Sequence, residues 1–262
     1  GPSIKLIESI NPATQGYLGG MGLPIIFSWF IGGLLSAGVA FVIGKICLGL
    51  RSDYLAISTL LISGIVISVI KHEEWLSRGV KNVIGLKRPA PFEVNLQKSE
   101  WFMTFIDKIH FWAPTTKDVI ISSSGIFVKL CFTIIFSITL LILLYLSERA
   151  VNSPWGRMMR AIRDNETAAK AMGKNIVKQQ LNIFMIGSAI IGFAGAMLVT
   201  YDGLFTPSSY QPLLYTFLIW VMVLLGGSGN NYGSILGAFV VWFIWIESAP
   251  IALFIINFCP MG

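Results

Sequence analysis

Two long apolar runs, Val119–Leu146 and Leu181–Tyr201, constrain this chain more than any other feature of its sequence. Each run supplies the roughly 20 apolar residues that a helix needs to cross a bilayer. The bilayer core offers the backbone no hydrogen-bond partner, so such a segment has to pair its own amides and carbonyls as a helix. The runs therefore predict an all-α integral membrane protein, and the polar connector between them, residues 147–180, is expected on one face of the membrane.

Further apolar runs extend this prediction to a multi-pass helical bundle of about six spans. Hydrophobic residues make up 55% of the chain and charged residues 12%, which is typical of a membrane protein. Glu247 and Pro250 interrupt the last run, and we interpret them as a helix end near the membrane interface. The predicted spans are Pro24–Gly44, Tyr54–Ile70, Val119–Leu146, Leu181–Tyr201, Leu213–Leu225 and Ile235–Phe258.

The distribution of charge predicts the orientation. Residues 147–180 carry seven basic and three acidic side chains. Short loops rich in Lys and Arg lie on the cytoplasmic side of membrane proteins, which predicts a cytoplasmic connector. Residues 71–118 then form an extracytoplasmic segment. Aromatic and apolar residues recur there at helical spacing from Trp101 to Trp112, which predicts an interfacial helix, acting as an anchor or as a docking surface for a solute-binding protein.

The connector has the signals of two short helices. Ser153 is a good N-cap and Pro154 a good first helical residue, because proline has no N–H to leave unpaired there. Asp164 or Asn165 can cap a second helix, which good helix formers continue and Gly173 ends. A compact helix outside the membrane, with alanines on its surface, has a shape that another protein can grip.

Three blocks of sequence resemble the permeases of ABC importers, and most closely the high-affinity branched-chain amino-acid permease family. Residues 160–166 read RAIRDNE and are followed by two alanines and Gly173, as in the cytoplasmic loop of these permeases. Residues 49–57, GLRSDYLAI, and residues 224–229, LLGGSG, resemble two further blocks and occur in the family's order. The resemblance implies a transport subunit, with ATP hydrolysis on separate subunits and no enzymatic activity or cofactor of its own.

In that family the loop docks into a groove on the ATP-binding subunit. The resemblance therefore implies ATP-binding cassette subunits as partners, together with a second permease subunit, a periplasmic solute-binding protein and the lipid of the bacterial inner membrane. The residues to which it assigns coupling are Arg160, Arg163, Asp164, Asn165, Glu166, Ala168, Ala169 and Gly173.

Small residues are expected to pack helices closely or to form a gate. In the span Leu181–Tyr201 they recur at four-residue spacing, which lets helix backbones approach each other in lipid. The substrate-binding residues stay unassigned. The glycines predicted to pack or to gate are Gly192, Gly195, Gly226, Gly227 and Gly229.

Two other functions remain open. Urea or amide importer permeases share these blocks, whereas an ion-coupled carrier or channel would need paired charges within its spans, and only Glu247 is arguable there. Three scattered cysteines and two isolated histidines predict no metal site, and no basic stripe interleaved with aromatics predicts nucleic-acid binding. Because the chain opens with Gly1 and Pro2 and stops soon after an apolar run, we expect residues 1–262 to be a partial transmembrane domain, a fragment or a shortened permease.

Overall fold

The computed structural model describes residues 24–49, 52–73, 83–84, 88–109, 117–206 and 211–258. Helices account for nearly all of these residues, which confirms the prediction of an all-α membrane protein. The elements are α1 (Ile25–Cys47), α2 (Ser52–His72), β1 (Val83–Ile84), α3 (Glu93–Gln97), α4 (Glu100–Ile109), α5 (Lys117–Asn152), α6 (Pro154–Asp164), α7 (Glu166–Ala171), α8 (Ile176–Asp202), β2 (Leu204–Phe205), α9 (Pro212–Gly226) and α10 (Asn231–Phe258).

The six predicted spans correspond to six apolar helices, of which four have the length and composition to cross a membrane. Among the described residues these four are α1, α2, α5 and α8. Helix α9 has 15 residues and is about 22 Å long at 1.5 Å per residue, short of the roughly 30 Å of a hydrocarbon core. Helix α10 has 28 residues.

The predicted helix end near Glu247 is wrong. Helix α10 continues through Pro250 as far as Phe258. Proline removes a single hydrogen bond, the one to the carbonyl of Ile246, and adds a local clash. The remaining bonds of a long apolar helix have no competing partner in lipid, so the helix persists on both sides of the proline.

The most extensively packed pair of helices in the described part of the chain is α1 and α8, which run antiparallel. A Cβ on Gly33 would lie 2.9 Å from the Ala189 carbonyl oxygen, so the two backbones are in direct contact. Ser36 Oγ donates to the Ser188 carbonyl at 2.8 Å. Both helices are thus fixed in register by small and polar residues, as in other membrane proteins.

A second polar contact closes the other end of this pair. Trp29 Nε1 donates to Thr200 Oγ1 at 3.0 Å within a buried site. Thr200 lies near the end of α8 and Trp29 near the start of α1, away from the connector. We call this the far end of the molecule and the opposite one the connector end.

The far end is tied together by short extended segments. Strand β1 pairs antiparallel with β2, which matches Val83 with Phe205 and Ile84 with Leu204. Arg88 donates to the Asp202 carbonyl at 3.3 Å, beside this ladder. Strand β1, Arg88 and the turn after α8 therefore lie on the same face.

Helix α4 confirms the predicted helix between Trp101 and Trp112, although Trp112 itself lies outside the described residues. Part of its apolar face is covered by protein: Phe102 and Ile106 are buried against α5, whereas Trp101 is 64% exposed. Gln97 of α3 donates to the fully buried Ser124 Oγ of α5 at 3.0 Å. Helices α3 and α4 are thus anchored on the first third of α5.

Candidate functional site

The connector begins with a tight turn from α5 into α6. Ser153 Oγ accepts a hydrogen bond from the Gly156 amide at 3.2 Å, and Pro154 occupies the first helical position, as predicted. A Cβ on Gly156 would collide with the carbonyl oxygens of Ala150 and Val151. The chain therefore passes from the span into the connector through a single residue, without a flexible loop.

Asn165 joins α6 to α7. Its amide donates to the Ala161 carbonyl at 3.0 Å at the end of α6, and its Oδ1 accepts from the Ala168 amide at 3.0 Å at the start of α7. Of the two predicted caps, Asn165 is the one used. Asp164 is the last residue of α6, and its carboxylate pairs with Arg163 at 3.1 Å. One residue thus caps both helices, and no loop separates them.

Gly173 ends α7 in the left-handed conformation, with φ of +75°. The Gly173 amide donates to the Lys170 carbonyl at 2.9 Å, and the Lys174 amide to the Ala169 carbonyl at 3.2 Å. These two bonds form the Schellman motif, so the predicted glycine stop is confirmed. Asn175 then caps α8 through its side-chain oxygen, which closes the connector.

An apolar cluster, which we call the connector core, lies beneath α6 and α7. Ile162, Ala169 and Ile176 are buried, and Met158 and Met159 pack against them. Ala169 is only 7% exposed, so its methyl group faces the connector core. In the chain as described, alanine at this position lets α7 lie close to α6 and α8.

The side chains outside the connector core form the outer face of the connector. Arg160 donates to the Val151 carbonyl at 2.8 Å, and Glu166 Oε1 accepts from Gln180 Nε2 at 2.9 Å. These bonds hold α6 on α5 and α7 on α8. Met172 is 81% exposed at the end of α7. The exposed residues of the outer face include Arg160, Arg163, Asp164, Asn165, Glu166, Ala168, Met172 and Gly173.

Helices α9 and α10 form a hairpin, and the two helices contact each other at glycine residues. A Cβ on Gly226 would collide with the Gly233 carbonyl, and a Cβ on Gly237 would collide with a carbonyl of α9. Gly227 and Gly229 have open surroundings but φ of +93° and +97°, a region that residues with a side chain rarely adopt. Gly226 therefore packs two helices, whereas Gly227 and Gly229 shape the turn between them.

The two glycines singled out in α8 differ in the same way. A Cβ on Gly192 would lie 2.9 Å from Ser36 Oγ and 3.0 Å from the Gly32 carbonyl oxygen, so Gly192 packs α8 on α1. A Cβ on Gly195 would meet no described atom within 4 Å. Of these two glycines, only Gly192 packs against another helix within the described part of the chain.

One hydrogen bond links the α9–α10 hairpin to the connector. Asn231 Nδ2 donates to Glu148 Oε1 at 2.9 Å, in a partly buried position. Glu148 lies in the last two turns of α5, at the start of the connector, and Asn231 is the first residue of α10. The hairpin turn is therefore placed at the connector end.

The connector presents an exposed surface of capped helices. Within the residues that the structure describes, no three His, Cys, Asp or Glu side chains are grouped so that they could hold a metal ion. What the region offers is a rigid exposed surface whose helices continue directly into two spans.

Comparison of the sequence with known proteins identifies the family of this chain. Residues 12–251 match the family described as the permease component of the branched-chain amino acid transport system. The chain belongs to this permease family. The family assignment covers the four candidate spans, the connector and most of α10.

Curated relatives agree with this permease family. The chain is 31% identical over 209 residues to a probable branched-chain amino acid transport permease protein, LivM, of Methanocaldococcus jannaschii, covering 78% of the chain and 51% of the relative. It is 27% identical to the high-affinity permease proteins LivM of Salmonella typhimurium, over 79% of the chain and 47% of the relative, and of Escherichia coli, over 80% and 48%. The chain thus spans about half the length of these relatives. No solved structure matches it.

Sequence reasoning missed three features of this permease-family connector. Gly156 was not singled out, although the spacing of Ser153 and Pro154 placed it in a first turn next to α5. Met172 gave a signal, since a methionine beside a glycine stop lies at a helix end. The bond from Asn231 to Glu148 joins residues 83 positions apart, so no local pattern could reveal it.

Proposed function

We propose that the chain is the transmembrane permease subunit of an ATP-driven importer for branched-chain or related amino acids. The permease family of residues 12–251 supports transport, and the names of the LivM relatives support the substrate class. The observation that carries the proposal is the connector, a pair of capped helices that project from two spans and present an exposed outer face. Such a surface suits a partner that pushes on the membrane domain.

The proposed partners follow from what this chain supplies. Its outer face would dock on an ATP-binding cassette subunit, with Arg160, Arg163 and Glu166 making charge-assisted hydrogen bonds at the contact. A second permease subunit would complete the membrane domain, and a periplasmic solute-binding protein would deliver the amino acid at the far end. The connector end is then cytoplasmic and the far end extracytoplasmic in a plasma membrane, the inner membrane of a bacterium, in agreement with the basic connector.

The proposed mechanism is alternating access. When the ATP-binding subunits close, they move α6 and α7 as one body, because the shared cap at Asn165 and the connector core hold the two helices together. The junction at Ser153 joins α6 to α5, and the junction at Asn175 joins α7 to α8. Both pass that movement to the spans. The Asn231–Glu148 bond passes it to the α9–α10 hairpin. The spans then repack between two discrete arrangements.

The proposal is tested by uptake in a defined system. The complete transporter, with its ATP-binding subunits and solute-binding protein, is reconstituted into liposomes that contain ATP. Uptake of labelled leucine, isoleucine or valine that needs both ATP and this chain is expected. Competition by urea and by short amides tests the alternative, a urea or amide importer. A transporter that accumulates only those compounds contradicts the proposed amino-acid substrate.

A further inference from the structure

A cavity between α2 and α9 opens at the far end of the molecule. It has a volume of about 730 Å³, within the range of roughly 300–1,000 Å³ that is usual for small-molecule sites. It extends over two turns of each helix, which is about 10 Å at 1.5 Å per residue. Its lining includes Gly64, Ile67 and Lys71 of α2, and Gln211, Leu214 and Phe217 at the start of α9.

Its chemistry is divided between a polar end and an apolar stretch. Lys71 and Gln211 lie at the ends of their helices, whereas Ile67 and Phe217 lie one to two turns further along them. Phe217 is 67% exposed, so the cavity is open along this stretch. The Lys71 ammonium has no hydrogen bond or ion pair with any other described residue, and the Gln211 side chain does not cap α9. Within the described residues, a cation and an amide side chain thus border an apolar space without a protein partner.

We infer that this cavity is an outward-facing binding site for an amino acid with an apolar side chain; the inference rests on the proposed function. The Lys71 ammonium would pair with the carboxylate, and the Gln211 amide oxygen would accept from the α-ammonium group. Ile67 and Phe217 would cover the branched side chain. Both charges of the zwitterion and its apolar body then have complementary groups in one cavity.

The position of Lys71 argues against a purely topological role. Basic residues that orient a membrane protein concentrate at its cytoplasmic end, whereas Lys71 lies at the opposite end of α2. Lys71 is also half-buried, so part of its side chain packs against protein.

Thiol labelling tests the site directly, without the solute-binding protein. Gly64→Cys is made in the complete transporter after Cys47, Cys131 and Cys259 are changed to alanine, and its reaction with a membrane-impermeant maleimide is timed. A Cβ at Gly64 meets no described atom within 4 Å, so the thiol has room. Leucine at about ten times its dissociation constant should slow this reaction about tenfold, because only the free site reacts.

Val69→Cys is the matched control, because Val69 is exposed on another face of α2 and does not line the cavity. Leucine should leave its labelling rate unchanged. Leucinamide, which lacks the carboxylate, should protect Gly64→Cys less well than leucine does. Adding Lys71→Gln to Gly64→Cys should abolish that difference between the two ligands.

The outcomes separate this inference from the proposed function. Equal protection at both positions, protection by phospholipid in place of leucine, or no protection at all overturns the cavity assignment. If the wild-type complex still transports leucine in those cases, the proposed function stands. If the complex transports no branched-chain amino acid, the proposed function falls, and leucine protection confined to Gly64→Cys would still support the site.

Discussion

At the scale of single residues, the connector depends on positions where the backbone conformation, rather than a side-chain contact, determines which residue is tolerated. Gly173 has φ of +75°, yet a Cβ there would meet no described atom within 4 Å. Substitution at this position is therefore costly because of the conformation itself, and no neighbouring group could relieve the cost by moving.

Gly173→Val should destabilise the end of α7 by about 1 kcal/mol or more, since a β-branched residue resists the left-handed region. Gly173→Asn should cost much less, because asparagine tolerates that region. Amide hydrogen exchange of α7 in the assembled transporter measures the difference. Equal exchange in the two variants would contradict a conformational role for Gly173.

Ala168 and Ala169 provide a matched pair, because one is exposed and the other is 7% exposed in the connector core. Ala169→Glu should bury a charge beside Ile162 and Ile176, loosen the connector and make it sensitive to protease, with loss of leucine uptake. Ala168→Glu should leave protease resistance intact and weaken co-purification of the ATP-binding subunits. If Ala168→Glu alters neither association nor uptake, the outer face is not the docking surface.

The connector shows how far sequence reasoning reaches at this scale. Ser153, Asn165 and Gly173 were predictable because a cap is a local property of four or five neighbouring residues. The inward direction of Ala169 was not predictable, since it depends on how α7 folds back over Ile162 and Ile176. That arrangement is a tertiary property.

At the scale of elements, hydropathy located the spans and misplaced their ends. The predicted span ending at Leu146 continues to Asn152, because the charged residues after it extend the helix into water. The predicted span starting at Leu181 begins at Ile176, where the Asn175 cap sets the boundary. Hydropathy marks the edge of the membrane, whereas caps mark the ends of helices.

The α9–α10 hairpin should respond to substitution only where its glycines are in contact. Gly237→Val should force the helices apart and destabilise the detergent-solubilised transporter by about 1–3 kcal/mol, as expected for an overpacked interface. Gly38→Val in α1, where a Cβ would meet no described atom within 4 Å, is the control. Thermal unfolding of both variants measures the difference. Similar midpoints would argue against close packing of α9 on α10 at Gly237.

At the scale of the whole molecule, the arrangement of elements predicts two faces with different accessibility. Met172→Cys, at an 81% exposed position of the connector, should react with an impermeant thiol reagent only from the cytoplasmic side. Met103→Cys in α4, at a 39% exposed position, should react only from outside. Labelling of intact cells and of inverted vesicles checks both, and a reversed pattern would overturn the orientation.

The bond between Asn231 and Glu148 is the contact by which the α9–α10 hairpin is expected to follow the connector. Asn231→Ala should preserve assembly and ATP hydrolysis while lowering the number of leucine molecules transported per ATP. The double variant with Glu148→Ala should be no worse than the worse single variant, because both remove the same bond. Additive losses would assign the two residues to separate roles.

Helix α5 is 36 residues long, about 54 Å at 1.5 Å per residue, whereas a hydrocarbon core is roughly 30 Å thick. It carries α3 and α4 near one end and turns into the connector at the other. A continuous helix of this length behaves as a lever with its pivot in the membrane. A tilt of only about 10° would displace its two ends by roughly 9 Å relative to each other, given that length. Force applied to the connector would then reach the opposite surface as a movement of α3 and α4 in the reverse direction, without any bend in between.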